Sequence, residues 1–352
     1  MKDNIVGIQQ VGVGIPDVLK AWEYYRKNFN MDVPIFQESA EAKLMTKYTG
    51  GIVHSRSAVL AINLNGGSGL EIWQYTSRES EKPKFEIELG DLGIFITKIK
   101  AKNVEETFND FKNRKVENVG KLLESPNGEK HFYVKDLFGN IFEIVQGKDW
   151  FRKDKSLTGG VCGVLIGVSN IDSSLNFYKN LLGYDKVIYD KEGVFEDLKA
   201  LNGGSKKFRR ILLERKSDVS GTFSRLLGTG QIELIQSLEK SGRKIFEGRY
   251  WGDQGFIHLC FDVYNMKDLE KHFQQKGHPF TIDSNTSFDM GEAAGHFTYC
   301  EDPDGTWIEF VETYRIPILK IIGWYLNVGK RDRTKPLPDW MLGALRLSRV
   351  KN

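Results

Sequence analysis

The sequence predicts an α+β fold in which one β-α-β-β-β unit is written four times and followed by a tail that does not repeat. Two ungapped self-matches carry this expectation. Gly7, Val11, Gly14 and Tyr25 recur as Gly160, Val164, Gly167 and Tyr178, in segments that each read as strand, turn and amphipathic helix. Tyr133, Asp136, Gly139 and Glu143 recur as Tyr299, Asp302, Gly305 and Glu309, in segments that read as strand, turn and strand. The length of 352 residues is a third observation, because it exceeds what one hydrophobic core usually serves.

The units fall near residues 5–76, 88–147, 159–238 and 253–313. In the first, Trp22, Tyr25 and Phe29 recur at helical spacing, and in the third Leu175, Tyr178 and Leu182 do the same. Those stripes predict core packing. The second and fourth units open on GIFITKIKA and GFIHLCFDV, and each places a helix after that strand. Their closing turns are Asp-Leu-Phe-Gly-Asn from Asp136 and Asp-Pro-Asp-Gly-Thr from Asp302. Residues 147–158 and 238–252 are polar connectors. These boundaries predict one domain over 1–150, a second over 151–313 and a helical tail over 314–352. In the tail, IPILKIIGWYLNV and PDWMLGALRL read as two short amphipathic helices packing on the body or on a partner subunit.

Bulk composition excludes several classes. A net charge of +3 over this length gives no basis for nucleic acid as a ligand. Met1–Gln10 has no apolar signal-peptide core, and no run of about 18 apolar residues is present to span a membrane. Cys162, Cys260 and Cys300 show no CxxC spacing and fit a reducing compartment. A cytoplasmic protein, monomeric or homodimeric, is expected.

Four strands each carry one carboxylate among apolar residues: GLEIWQY (Glu71), GNIFEIVQ (Glu143), QIELIQS (Glu233) and TWIEFVE (Glu309). Side chains alternate faces along a strand, so each glutamate enters a partly apolar surface. An ionised carboxylate there is costly unless it is paired or binds a cation. A lone example would read equally well as an edge glutamate facing water; four in the same place argue against chance and for a carboxylate that is paired or binds a cation.

These units, with DPDGTWIEFVE and the strand–helix openings, resemble the vicinal oxygen chelate superfamily over about residues 5–313. That superfamily includes glyoxalase I, methylmalonyl-CoA epimerase, extradiol dioxygenases and drug-resistance proteins. The resemblance implies two cupped, eight-stranded, mixed-sheet half-barrels of two units each. It also implies a metal held by side chains from the first and last strands of the paired units. The first-strand positions it implies are Gln10, Gly93, Gly163 and His258; the last-strand positions are Glu71, Glu143, Glu233 and Glu309.

Glycine offers no donor atom, so the ligand set depends on which units share a cup. If neighbours pair, one cup holds Gln10, Glu71 and Glu143, and the other Glu233, His258 and Glu309. If unit one meets unit four, a single cup holds Gln10, Glu71, His258 and Glu309, and the other keeps only Glu143 and Glu233. The crossed pairing gathers both neutral donors and resembles the glutamine-containing glyoxalase I site, so it is favoured, with Glu233, His258 and Glu309 as the alternative. The donor set suits a divalent ion, zinc first, with nickel, cobalt, manganese or iron as alternatives. By resemblance, Glu309 is the principal catalytic base and Glu71 its partner, in a lyase or isomerase working through an enediolate on a small oxygenated molecule or its thiol adduct.

A non-catalytic binding protein is the alternative, with Trp73, Phe95, Tyr133, Trp251 and Tyr299 as its walls. An extradiol dioxygenase is disfavoured, because Gly163 stands where that chemistry needs a histidine. Arg209, Arg210 and Arg215 are expected to neutralise Glu143 and Glu233. His54 and Arg56 alternate with apolar residues and reach toward the cup, but neither they nor His131, His272, His278 and His296 read as ligands.

Overall fold

The computed structural model describes residues 4–215, 220–285, 288–289, 294–319, 323–329 and 331–350. The four repeats are present. Unit one is β1 (Ile5–Gly14), α1 (Val18–Phe29), β2 (Val33–Glu41), β3 (Ser55–Ile62) and β4 (Gly69–Tyr75). Unit two is β5 (Gly93–Ala101), α2 (Val104–Asn113), β6 (Asn118–Glu124), β7 (Lys130–Lys135) and β8 (Ile141–Gln146). Unit three is β9 (Thr158–Gly167), α3 (Ile171–Leu175, continued by a wider turn to Leu181), β10 (Lys186–Gly193), β11 (Phe208–Glu214), the added short helix α4 (Ser224–Leu227) and β12 (Gln231–Ser237). Unit four is β13 (Gly255–Val263), α5 (Met266–Gln275), β14 (Ile282–Asp283), β15 (Phe288–Asp289), β16 (Ala294–Glu301) and β17 (Trp307–Leu319).

The strands form two mixed half-barrels, and the pairing is crossed. One sheet runs β14-β16-β17-β13-β1-β4-β3-β2 and joins unit one to unit four; the other runs β10-β11-β12-β9-β5-β8-β7-β6 and joins units two and three. At each seam the two first strands are antiparallel, with Gly12 opposite His258 in one and Lys98 opposite Gly163 in the other. Each first strand then runs parallel to the last strand of its own unit. Each half of the chain thus contributes one unit to each sheet.

The helices are read directly from local sequence. In α1 the Asp17 side chain accepts the Lys20 amide, and Asn30 ends the helix in the left-handed region. Its buried stripe of Val18, Ala21, Trp22, Tyr25 and Phe29 faces the core shared by both sheets. Tyr25 then donates from its hydroxyl to Asp136 at 2.6 Å, inside the closing turn of unit two; Tyr178 donates to Asp302 of unit four at 2.8 Å. The two aspartates also accept backbone amides of their own turns. Units one and two, and units three and four, are therefore clamped helix to turn across the core, while the sheets join one with four and two with three.

The tail corrects one expectation. IPILKIIGWYLNV is not helical where it is described: β17 continues to Leu319 and β18 (Trp324–Asn327) returns antiparallel to it, while residues 320–322 lie outside the described residues. Ile316 and Ile318 are both buried, a spacing of two that belongs to a strand, and Pro317 between them cannot supply a helical amide bond. PDWMLGALRL does form α6 (Asp339–Gly343), followed by a tighter turn over Ala344–Ser348. Leu342 and Leu345 pack with Val6, Ile62 and Leu64 of unit one. Among the described residues no helix is long and apolar enough to cross a membrane.

Candidate metal centre

The first cup brings together Gln10 from β1, Glu71 from β4, His258 from β13 and Glu309 from β17. His258 Nε2 lies 3.1 Å from Glu309 Oε2 and 3.3 Å from Glu71 Oε2. Gln10 Nε2 donates to Glu71 Oε2 at 3.0 Å and reaches Glu309 Oε2 at 3.5 Å. One donor atom from each of Glu71, His258 and Glu309 falls within 4.8 Å of the others. His258 is fully buried and Glu309 nearly so. The backbone makes room for this cluster at Gly12, where a Cβ would sit 2.3 Å from the His258 ring.

Charge decides what the cup lacks. Among the described residues no lysine or arginine pairs with Glu71 or Glu309; their ion-pair partner is His258. Burial lowers the basicity of that imidazole, but Glu309 and Glu71 overcome it and raise its pKa to about 9. Gln10 Oε1 is buried without a hydrogen-bond partner among the described residues, and rotating the amide exchanges it with the Nε2 that now faces the carboxylates. Two carboxylates short of positive charge, an imidazole and an uncommitted amide oxygen fit a divalent cation. Around them, Trp251 stacks parallel to the His258 ring at 5.9 Å, and the Tyr299 hydroxyl approaches its Nδ1 at 3.4 Å.

In the second cup the carboxylates are paired with cationic side chains. Lys98 Nζ sits 2.6 Å from Glu143 Oε2 and 2.7 Å from Glu233 Oε2, and all three side chains are buried. Arg210 Nε adds 2.8 Å to Glu233 and its Nη1 pairs with Asp197; His131 Nδ1 lies 2.8 Å from Glu143. Tyr189 donates to Glu233 at 2.7 Å. Burial pushes the Glu143 and Glu233 carboxyls up, yet Lys98 with His131 holds the first low, and Arg210 with Lys98 holds the second low.

Several expectations change here. Arg210 neutralises Glu233 as anticipated. Arg209 instead pairs with Asp172 and Asp190 on the surface, and Arg215 donates to the Leu182 carbonyl. The strand registers place Lys98 beside Glu143 as Cys260 lies beside Glu309, so the unit-two counterpart of His258 is Ile96, two residues before Lys98. Gly93 was the wrong residue; it matches Gly255, the start of the strand. At Gly163 a Cβ would meet the Gln231 carbonyl oxygen at 2.4 Å, so close backbone packing has replaced the donor. Trp73, Trp251 and Tyr299 line the first cup, whereas Phe95 and Tyr133 belong to the second. Arg56 borders the first cup and pairs with Glu38 at 2.5 Å; His54 contacts Ser77, and His296 contacts Asp283. Lys98, Asp197 and Tyr189 were not singled out from sequence, and His131 was dismissed. The signal for Lys98 and His131 was a polar residue alternating with apolar ones along a strand; Asp197, in the short turn Glu196–Leu198, and Tyr189, on the polar strand β10, carried no such signal.

Known proteins resemble this arrangement. Residues 163–310 match the family model of the Glyoxalase/Bleomycin resistance protein/Dioxygenase superfamily. Lactoylglutathione lyase of Schizosaccharomyces pombe is 27% identical over 150 residues, which is 42% of this chain and 45% of that protein, so the chain matches under half of its length. Glyoxalase I of Zea mays superimposes with a TM-score of 0.52 at 14% identity, over 87% of this chain and 92% of that one. A Bacillus subtilis protein provisionally named a dioxygenase superimposes at 0.56 with 13% identity, over 88% and 86%. The two half-barrels of paired β-α-β-β-β units and this match over residues 163–310 make the chain similar to the vicinal oxygen chelate superfamily.

Proposed function

We propose that this protein is a divalent-metal-dependent lyase or isomerase of the glyoxalase I type, with one site built from Gln10, Glu71, His258 and Glu309. The observation that carries this is the contrast between the cups: Glu143 and Glu233 have a buried ammonium and a guanidinium, whereas Glu71 and Glu309 have only an imidazole. A bound divalent ion, zinc first, would supply Lewis acidity to a chelated carbonyl and stabilise charge on its oxygen. Gln10 and His258 hold that end of the site. Glu309 takes the proton from the carbon next to the carbonyl, leaving an enediolate. The hydroxyl proton passes to the other oxygen by way of Glu71, across the cup, and Glu309 delivers the proton it took to the neighbouring carbon, so both carboxylates end as they began and no oxidant is needed. The name of the yeast relative makes a thiol adduct of an oxoaldehyde one substrate to try.

The test is Glu309→Gln, with metal content and turnover measured together. Turnover falling at least 100-fold is expected; retained metal with unchanged turnover overturns the role of Glu309. The aromatic wall of Trp73, Trp251 and Tyr299 favours a second reading, a sequestering protein without catalysis. Elemental analysis separates the two. One tightly held transition metal per chain supports the enzyme, and a folded, ligand-binding chain that takes up none supports the sequestering protein.

A further inference from the structure

The polar cluster of the first cup forms one patch on a cavity of about 590 Å³. This falls within the range that encloses a drug-sized ligand, roughly 300–1,000 Å³. What surrounds the patch is apolar. Phe36, Leu60, Ile62 and Trp73 come from the sheet, and Phe297 and Val311 face them from unit four. The lining also includes Phe223, Leu226, Leu227 and Leu345, all buried. The first three sit in the link between β11 and β12 of unit three, which carries α4, and the last is in the tail. Elements that the other three units lack thus supply an apolar stretch of the wall.

Ala40–Leu44 also line the cavity, and Glu41, Lys43 and Leu44 among them are exposed. The only lysine and arginine on the cavity wall, among the described residues, are Lys43 and Arg56. Each already faces a carboxylate, Glu41 at 3.4 Å and Glu38 at 2.5 Å. The wall carries four carboxylates against those two cations: Glu38, Glu41, Glu71 and Glu309. A peptide thiol such as glutathione brings carboxylates of its own, and this wall offers them no uncommitted cation while charging the desolvation cost.

We infer that the site takes a vicinally oxygenated ligand with an extended apolar body, of the long-chain acyloin class, rather than a charged thiol adduct. The oxygens meet Gln10, Glu71, His258 and Glu309, and the hydrocarbon runs toward Leu226, Leu227 and Leu345. This inference rests on the proposed reading of the polar patch for its orientation, but the apolar wall is independent of any metal.

The experiment titrates the zinc-loaded and the chelator-treated full chain with acyloins of increasing alkyl length, following tryptophan fluorescence, since Trp73 and Trp251 line the cavity. The hemithioacetal of glutathione and methylglyoxal is the comparison ligand. Affinity is expected to rise about fourfold per added methylene until the cavity is filled, with or without zinc. It should exceed affinity for the hemithioacetal. Leu226→Phe and Leu227→Phe, on the wall assigned to the hydrocarbon, should each lower the chain length at which affinity levels off, with melting curves checking that each variant folds. A flat chain-length series, tighter hemithioacetal binding, or a plateau unmoved in both folded variants overturns the substrate class. Turnover of the hemithioacetal with zinc would then leave the metalloenzyme reading standing. A clear gradient with no zinc uptake overturns the metalloenzyme reading and leaves the apolar class intact.

Discussion

Replacing Lys98 with methionine tests the contrast between the cups most sharply. The ammonium lies 2.6 Å from Glu143 and 2.7 Å from Glu233, with each of the three side chains at most 3% exposed. Methionine keeps much of the volume and removes the charge. Glu233 retains Arg210 and Tyr189, but Glu143 is left with His131 alone. Removing one partner of a buried pair costs about 3–5 kcal/mol. At an unfolding entropy of about 2.1 cal/mol/K per residue, that lowers Tm by roughly 5 °C for a chain of this length. The deficit has a pH signature. Both glutamates are held below their ordinary pKa of 4.5, so their stabilisation is present above that pH and lost as pH falls through the lowered values. In Lys98→Met, Glu143 instead resists ionisation, so the deficit should widen as pH rises from 5 to 8. Adding Glu143→Gln should restore at least half of the loss, because the stranded charge is gone. Calorimetry of the two single variants and the double variant settles it. A Lys98→Met protein within 1 °C of wild type at pH 7, or a double variant whose losses simply add, would refute the view that this lysine replaces a metal.

The metal-free protein should show the opposite pH trend at the first cup. With His258 raised from 6.5 to about 9, its contribution of about 3 kcal/mol is complete below pH 6.5 and lost as pH rises through 9. Urea midpoints of chelator-treated protein at pH 6 and 9.5 measure this, and equal midpoints would contradict it. Tyr299→Phe removes the hydroxyl beside His258 Nδ1 and should weaken zinc affinity about 10-fold, read by chelator competition. Tyr25→Phe strips one donor from buried Asp136 and should cost about 1–3 kcal/mol by denaturation without altering metal content.

The repeat was legible because its units keep apolar spacing, turn residues and a strand glutamate in phase. The crossed pairing was legible through donor counting joined to the family resemblance: only that pairing unites Gln10 with His258, and β1 and β13 do meet. Lys98 was hidden for a physical reason. In GIFITKIKA, Lys98 and Lys100 alternate with apolar residues as they would on a solvated face, yet both are buried against carboxylates. Nothing local tells a strand whether its polar face looks at water or into a cup. The glycine error in unit two has a similar origin. Matching Gly93 with the ligand position ignored that GIFI and GFIH start in register, which places Ile96 at the position of His258. The tail was misread because short apolar runs do not distinguish helix from strand; Pro317 between Ile316 and Ile318 was the available clue.

The crossed sheet also bears on how the chain is made. Gln10 and Glu309 touch although 299 positions separate them in sequence. The second sheet joins units two and three, which follow one another directly, and can close while the rest of the chain is still being synthesised. The first cannot. Strand β1 must wait beside a finished neighbour until β13 and β17 leave the ribosome, and contacts of such separation form slowly. The lysine-filled cup thus belongs to the early-folding half, which needs no ion to be complete. The cup of Gln10, Glu71, His258 and Glu309 closes later, so a chain stopped before β13 would hold the strands of the second sheet and lack half of the first cup.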